Sequence, residues 1–525
     1  MTSTATSEDQ GHLEKLARRG TASVAGAGFS ALSGVLLVVI VTNGFSQDTA
    51  GTLFAATAAF LIIESIALLG TDTGLVKWLP TQLADGRTDD VRRTLVIAAV
   101  PVLALSLGAG VLLYAAAPSL APHMVGNGNA STMSTMLKVL AVILPAAALY
   151  DLTVAASRGL GSMRPTVLID NLGRLGVQAL AVLAVFLAGG GPFLLALAWC
   201  LPYVGGLVAA GWWMHVRIRD APSGSEPPTP WIPLTREFWS YTSPRAIARV
   251  TQTALKRSDV VLVAALASPA EAALYAAATR FIVLGQLFVQ SVQQALAPHL
   301  SSLFARDEKH HATSVFQTAT LWSVIASWPF FLILAGFSPL LMGVFGHGYS
   351  VASDVVLILS LTMLLATACG PIDSVLLMAG RSWLSLGNSS VALAVNVGMN
   401  IVLIPMLGIR GAAISWAVAI VVRNVLPLLQ VHQQLDMWPV TRPAVLVSLL
   451  AVACFGLVDV LALSLDLPTF VEVAALGLSV LVYLYVLRSW HHILGLGAFR
   501  SALRRRSGSP RPAAPLGSGP ASSAP

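Results

Sequence analysis

Between residues 245 and 259 the chain sets Arg245, Arg249, Gln252, Lys256 and Asp259 at successive spacings of four, three, four and three. That rhythm places all five on one stripe of an α-helix. A second apolar run, EAALYAAATRFIVLGQLF (271–288), holds a single cation, Arg280. Two further arginines, Arg174 and Arg423, sit inside other apolar runs. Guanidinium groups in water-poor surroundings have one chemistry above others, the bidentate grip of phosphate or carboxylate oxygens. The acids inside apolar runs are Glu64, Asp151, Asp170, Asp259, Asp373 and Asp459. They can relay protons, bind sodium ions, or neutralise the arginines. Asp170 and Arg174 stand four residues apart, the spacing of neighbours on a helix face, which predicts that they pair.

For Arg245 and Arg249, near one end of their run, two readings are open: snorkelling to lipid headgroups, or lining an internal cavity. Lys256 lies too deep for snorkelling, and the cavity is expected there. Arg280 and Asp259 fall at one depth if their helices are adjacent and antiparallel, so a buried ion pair is one reading of Arg280. The other is direct contact with an anionic head group. Both hold if Asp259 keeps Arg280 only while the cavity is empty. Arg174 and Arg423 share the choice between snorkelling and cavity.

These residues need a membrane-embedded frame. The 525-residue chain is 56% hydrophobic and 10% charged, with a mean hydropathy of +0.77. Soluble globular proteins carry about 25% charged residues, so this composition defines an integral, all-α polytopic membrane protein. Spans of about 20 apolar residues number about fourteen. The Lys and Arg between spans fall in alternate loops. One set includes Lys15, Arg18 and Arg19, then Lys77, Arg87, Arg92 and Arg93, and the C-terminal Arg488 to Arg511. The opposite loops hold only Arg410. The positive-inside rule then predicts a multi-pass cell-membrane protein with both termini cytoplasmic. The net charge of +7 belongs to that pattern and does not indicate nucleic acid.

The expected organisation is a cytoplasmic segment at 1–21, a six-span lobe at 22–214, and a cytoplasmic linker at 215–240. A second six-span lobe follows at 241–431, then two additional spans at 443–487 and a basic, then disordered, tail at 488–525. The N-terminus lacks a small-residue cleavage site, so the first span is expected to be retained. An internal duplication supports the two lobes. AGTLFAATAAFLIIESIALLG from Ala50 lies over EAALYAAATRFIVLGQLFVQS from Glu271, and Asp151 and Asp373 recur at nearly the same offset. A shift of six spans gives a parallel repeat about an axis along the membrane normal. Ala59 stands where the second copy has Arg280.

Three stretches, RSDVVLVAALASPAEAALYAAATRFI, NVGMNIVLIPMLGIRGAAISWAVA and LLGTDTGLVKWLP, resemble the polysaccharide flippases of the multidrug/oligosaccharidyl-lipid/polysaccharide exporter superfamily. The resemblance implies a transporter of polyprenyl-diphosphate-linked sugars, from the inner to the outer leaflet, with a cationic central cavity. It implies Arg280 as a cavity residue, since the related lipid II flippases carry an arginine at the matching place. The lipid-linked glycan and membrane lipids are the expected partners, with pathway glycosyltransferases or a polymerase beside them. A lipid II-type flippase and a drug/cation antiporter of the same superfamily are the alternatives. An antiporter calls for acids and aromatics around its cations, and these spans hold more buried Arg and Lys than that role needs. An enzyme is not expected. The loops near 118–133 and 336–350 offer only His123 and His347, GNG at 126–128 reads as a turn, and no nucleophile or phosphate-loop motif occurs. No cofactor or metal is expected, and Cys200, Cys369 and Cys454 lie inside apolar runs without metal or disulfide spacing.

Overall fold

The structure, a computed structural model, describes residues 26, 28–219, 229–457 and 468–490. The predicted segment 1–21, the start of the first span, the middle of the 215–240 linker, the end of the 443–464 span and nearly all of the tail lie outside these residues. Among the described residues there is no β-strand. Ten helices are long and apolar enough to cross a membrane, and two shorter apolar helices accompany them.

In chain order the helices are α1 (Gly28–Gly44), α2 (Gln47–Ala67), α3 (Thr71–Ala84), α4 (Thr88–Gly159), α5 (Pro165–Leu187) and α6 (Pro192–Arg219). Next come α7 (Trp231–Leu266), α8 (Pro269–Ala305), α9 (Lys309–Gly336) and the one-turn α10 (Ser338–Gly343). The rest are α11 (Ser353–Ala368), α12 (Ile372–Met378), α13 (Ser382–Leu407), α14 (Ile409–Leu435), α15 (Arg442–Gly456) and α16 (Thr469–Ser489).

At 72 residues α4 is long enough for two crossings, and it breaks at Gly126 (φ 71°, ψ 172°). Glycine reaches that backbone at no steric cost. The limbs fold back on one another, because a Cβ on Gly110 would meet the carbonyl oxygen of Ala141 at 2.7 Å. GNG is therefore a turn between crossings. Helix α2 ends where Leu69 (φ 52°) and Gly70 (φ 73°) break the chain before α3. A Cβ on Gly70 would come within 2.6 Å of the Ala246 nitrogen in α7, so this break is pressed against the neighbouring helix.

The linker is shorter than the 215–240 read from composition. Helix α6 runs on to Arg219 and α7 starts at Trp231. Arg217 and Arg219 close α6 where the macrodipole favours cations, and Leu234 and Phe238 make the first turns of α7 a packing face for α3 and α4. Helices α2–α6 pack on one another, and so do α8–α14; α7 stands between, touching α2, α3 and α4 on one side and α8, α13 and α14 on the other.

The helices aligned by the duplication, α2 and α8, start alike. Ser46 and Ser268 cap them, each hydroxyl accepting from the backbone N–H three residues on, at 3.3 and 3.1 Å. They also meet at their starts. A Cβ on Gly51 would fall 1.6 Å from the Pro269 carbonyl oxygen, so nothing larger than glycine fits between them. At the same end, Asn43 donates to the Val344 carbonyl (3.1 Å) and Gln47 to that of His347 (3.4 Å). The extra helices α15 and α16 lie against α9, where the Tyr483 hydroxyl donates to the Ile325 carbonyl at 3.1 Å. Exposed apolar side chains such as Leu112 (71% exposed) and Phe470 (75%) cover the outside, as a lipid-facing surface requires.

Candidate functional site

The intramembrane charges fall into two groups. The first is balanced. Arg249 of α7 reaches Asp72 of α3 at 2.6 Å and Asp151 of α4 at 3.8 Å. The break at Gly70 makes this possible by swinging Asp72, in the first turn of α3, against α7. Glu64 of α2 is 4% exposed, its Oε1 has no hydrogen-bond partner, and it lies within the electrostatic reach of Asp151 and Arg249. Arg174 donates through Nε to Asp170 at 2.8 Å, as their spacing predicted. The Tyr150 hydroxyl donates to the same carboxylate at 3.1 Å, and the Arg174 guanidinium lies over the Tyr203 ring at 4.7 Å. Both residues of this pair stand on the π-helical opening of α5, Pro165–Arg174, a wide-wound form frequent at functional sites.

Arg245 is engaged by its own helix. Its Nη1 donates to its own helix at the Tyr241 carbonyl (2.9 Å), and its guanidinium sits 3.4 Å from the Tyr241 ring centre. Lys77 lies 3.7 Å from the same centre. Two cations so close to one ring must take opposite faces.

The second group is not balanced. Lys256 of α7, Arg423 of α14 and Asp373 of α12 all line a cavity of about 370 Å³. Asp373 accepts from the Ser385 hydroxyl at 2.5 Å. Among the described residues neither Lys256 nor Arg423 forms an ion pair, and the charge that Lys256 feels most is that of Arg423. Arg280 has no acid partner either, and its Nε is buried without a hydrogen bond. Another cation, Arg257, lies within its electrostatic reach.

One expectation is corrected here. The Asp259–Arg280 ion pair does not form. Asp259 accepts from the Tyr275 hydroxyl at 3.1 Å and from Asn400 Nδ2 at 2.8 Å, so its level along α8 is that of Tyr275. Arg280 lies five residues further on, about 7 Å deeper at 1.5 Å per residue. The stripe of α7 meets several neighbours. Arg249 turns to α3 and α4, Lys256 to α8 and α14, and Asp259 to α8 and α13. A 3.5-residue rhythm drifts by about 20° per heptad around a 3.6-residue helix, and α7 is wedged between two helix groups, so successive turns meet different neighbours.

Sequence reasoning missed Arg257, Tyr275, Asn396 and Asn400. Arg257 follows Lys256 directly and falls off the traced stripe, although an arginine in an apolar run is itself the signal. Asn396 and Asn400 lie inside the NVGMNIVLIPMLGIRGAAISWAVA stretch, four apart and hydrogen-bonded to each other at 2.5 Å. Among the described residues no group of three or more His, Cys, Asp or Glu side chains is placed to hold a metal ion.

A mostly apolar bundle with two packed helix groups, a pivotal seventh helix and interior cations is the layout of a polytopic transporter. Solved structures share the fold. The lipid II flippase MurJ in its inward closed conformation superposes with a TM-score of 0.69 at 13% identity, over 91% of this chain and 99% of that one. An inward-facing multidrug resistance MATE family transporter of the MOP superfamily gives 0.63 at 16% identity, over 78% and 94%. Residues 16–304, more than half of the chain, match the family described as polysaccharide biosynthesis protein, and the chain belongs to that family. Residues 244–409 also match the MatE family. A probable low-salt glycan biosynthesis flippase, Agl15 of Haloferax volcanii, is 25% identical over 192 residues, which are 36% of this chain and 41% of that protein's length. Family and fold neighbours alike are flippases and transporters rather than enzymes.

Proposed function

We propose that this protein flips a polyprenyl-diphosphate-linked oligosaccharide, the repeat unit of a polysaccharide, from the inner to the outer leaflet of the cell membrane by alternating access, with both termini cytoplasmic. The observation that carries the reading is the cation set without acid partners: Arg257 and Arg280, with Lys256 and Arg423 beside them. Each arginine at bilayer depth costs about 2.5–3.5 kcal/mol on insertion scales. Where an acid neutralises it, as Asp72 does for Arg249, structure alone accounts for the charge. Where none does, an anionic ligand is what offsets that cost.

A diphosphate fits this demand. It brings two or more negative charges and planar oxygen sets that arginine forks engage bidentately, and those bonds strengthen where water is scarce. Arg257 and Arg280 hold the diphosphate, and Arg174 on its tyrosine shelf faces it from the other helix group. Asp259, held by Tyr275 and Asn400, fixes the facing turns of α7, α8 and α13. The lipid tail remains in the bilayer while the helix groups rock, and pathway glycosyltransferases supply the substrate. A drug/cation antiporter is disfavoured, because Asp72 and Asp151 are already engaged by Arg249. The fold shared with MurJ makes a lipid II-type precursor the second reading, with the same diphosphate contacts and a different sugar.

The test is transfer of a labelled polyprenyl-diphosphate oligosaccharide across proteoliposomes holding the purified protein. Transfer by the native chain and its loss in Arg280→Ala support the reading. No transfer of any diphosphate-linked glycan, or unchanged transfer in Arg280→Ala, overturns it.

A further inference from the structure

The cavity shared by Lys256 and Arg423 is lined differently from the neighbourhood of Arg257 and Arg280. One face of α8 presents Gln286, Gln290 and Gln293 into it, at the four-then-three spacing of a single helix stripe, and Asn424 of α14 adds a fourth amide. These amides are poorly used by the fold. Gln286 donates only to the Met363 sulfur at 3.8 Å, a weak acceptor, and Asn424 donates back into its own helix at the Ile420 carbonyl. Gln286 and Gln293 are half-buried and Gln290 is exposed, so these amides stand open on the cavity, available to water or to a ligand. The two cations are likewise available, since each faces a like charge and neither has an acid. Asp373, the acid in the same lining, has the Ser385 hydroxyl as its partner. At about 370 Å³ the space falls within the roughly 300–1,000 Å³ of small-molecule sites.

Amides that both donate and accept suit vicinal hydroxyls. Two cations at one wall suit a carboxylate or a phosphate. One ligand class combines them, a sugar bearing an acidic group. We propose that this cavity is a second subsite, separate from the diphosphate contacts, that takes an acidic sugar residue: a uronic acid or a sugar phosphate. The proposal rests on the flippase reading for its source of sugar, the glycan of the lipid-linked substrate. Lys256 and Arg423 hold the acid, and the amides of α8 and α14 hold the ring hydroxyls. The chain then favours acidic over neutral glycans, which the diphosphate contacts alone cannot do, since every such substrate carries the same diphosphate.

Two arms test this on the full chain in lipid nanodiscs and proteoliposomes. In the first, thermal protection is titrated with glucuronate, glucose and inorganic phosphate. Glucuronate is expected to protect at the lowest concentration, and Lys256→Gln or Arg423→Gln should weaken it about tenfold, the loss of one charge-assisted contact. Gln290→Leu keeps both charges and should weaken glucuronate while leaving phosphate unaffected. Equal protection by glucose and glucuronate, or phosphate matching glucuronate with no effect of Gln290→Leu, overturns the sugar subsite. In the second arm, transfer of diphosphate lipids bearing a uronate-containing or a neutral glycan is compared. The native chain is expected to prefer the acidic glycan, and Lys256→Gln to cut that preference about tenfold. Equal transfer of both glycans sinks the subsite and leaves the flippase reading standing. Glucuronate binding that obeys the variants, without transfer of either lipid, sinks the flippase reading and leaves the subsite standing. A variant that does not fold is replaced by Lys256→Arg, which retains the charge and should retain the preference.

Discussion

Helices α2–α6 and helices α8–α14 both surround interior charge, and they treat it in opposite ways. In the first group each interior arginine has an acid: Asp170 for Arg174, and Asp72 and Asp151 for Arg249 arriving from α7. In the second, Lys256 and Arg423 share a cavity with amides and a hydroxyl-bonded acid, and the buried Nε of Arg280 has no hydrogen bond among the described residues. The number of charges in a membrane segment therefore says little about where a ligand binds. Pairing says more. A neutralised arginine is a structural tie, whereas an arginine without an acid is a standing electrostatic demand.

The comparison breaks first at Arg280. Its replacement by alanine should lower flipping by tenfold or more in the proteoliposome assay, while thermal unfolding in detergent shows no loss of stability, because no ion pair is broken. A large drop in melting temperature would instead return Arg280 to the structural class. Next comes the balanced group. Asp72→Asn removes the closer partner of Arg249, and breaking a fully buried pair costs about 3–5 kcal/mol. Arg249 remains about a third exposed, so a loss of about 1–2 kcal/mol is expected after solvent screening. A double-mutant cycle with Arg249→Gln should recover most of it; additive losses would show that the pair contributes nothing.

The sign of the third prediction sharpens the contrast. Lys256→Gln removes a cation facing a like charge, so stability in the absence of ligand should rise, by up to about 1 kcal/mol, in the usual exchange of stability for a functional site. A fall would mean that Lys256 is held by the fold. The smallest effect is expected at Arg410 and Asp354, paired at 2.5 Å but 62% and 48% exposed. Arg410→Gln should change stability by less than about 1 kcal/mol, as exposed pairs do, with the same melting curve as its readout.

How much of this was readable in advance depends on how far apart the interacting residues lie. Hydropathy and loop charge give the helical membrane fold, since each span declares itself within about 20 residues. The Asp170–Arg174 pair is legible because its members are one turn apart. The partners of Arg249 and Asp259 are not, because Asp72 and Asn400 stand 177 and 141 residues away and only the packing of α7 between two helix groups selects them. Expecting Asp259 to meet Arg280 was an argument from depth alone, and a five-residue error in register was enough to defeat it. The short linker was hidden for another reason: the ends of α6 and α7 are polar enough to read as loop, yet Phe238 and Leu234 are buried.

The contact at Gly51 carries a mechanical consequence. With no room for even a methyl group between α2 and the Pro269 carbonyl, the two duplicated helices touch backbone to backbone at one end. Such a point resists sliding and separation but tolerates tilting, which makes it a fulcrum. From Gly51 to the end of α2 at Ala67 is about 24 Å at 1.5 Å per residue, so a tilt of about 10° about that point sweeps the far end through about 4 Å. The far end of this lever carries Glu64 and leads through the break at Gly70 into Asp72, so the closer acid partner of Arg249 stands just past the point of longest travel.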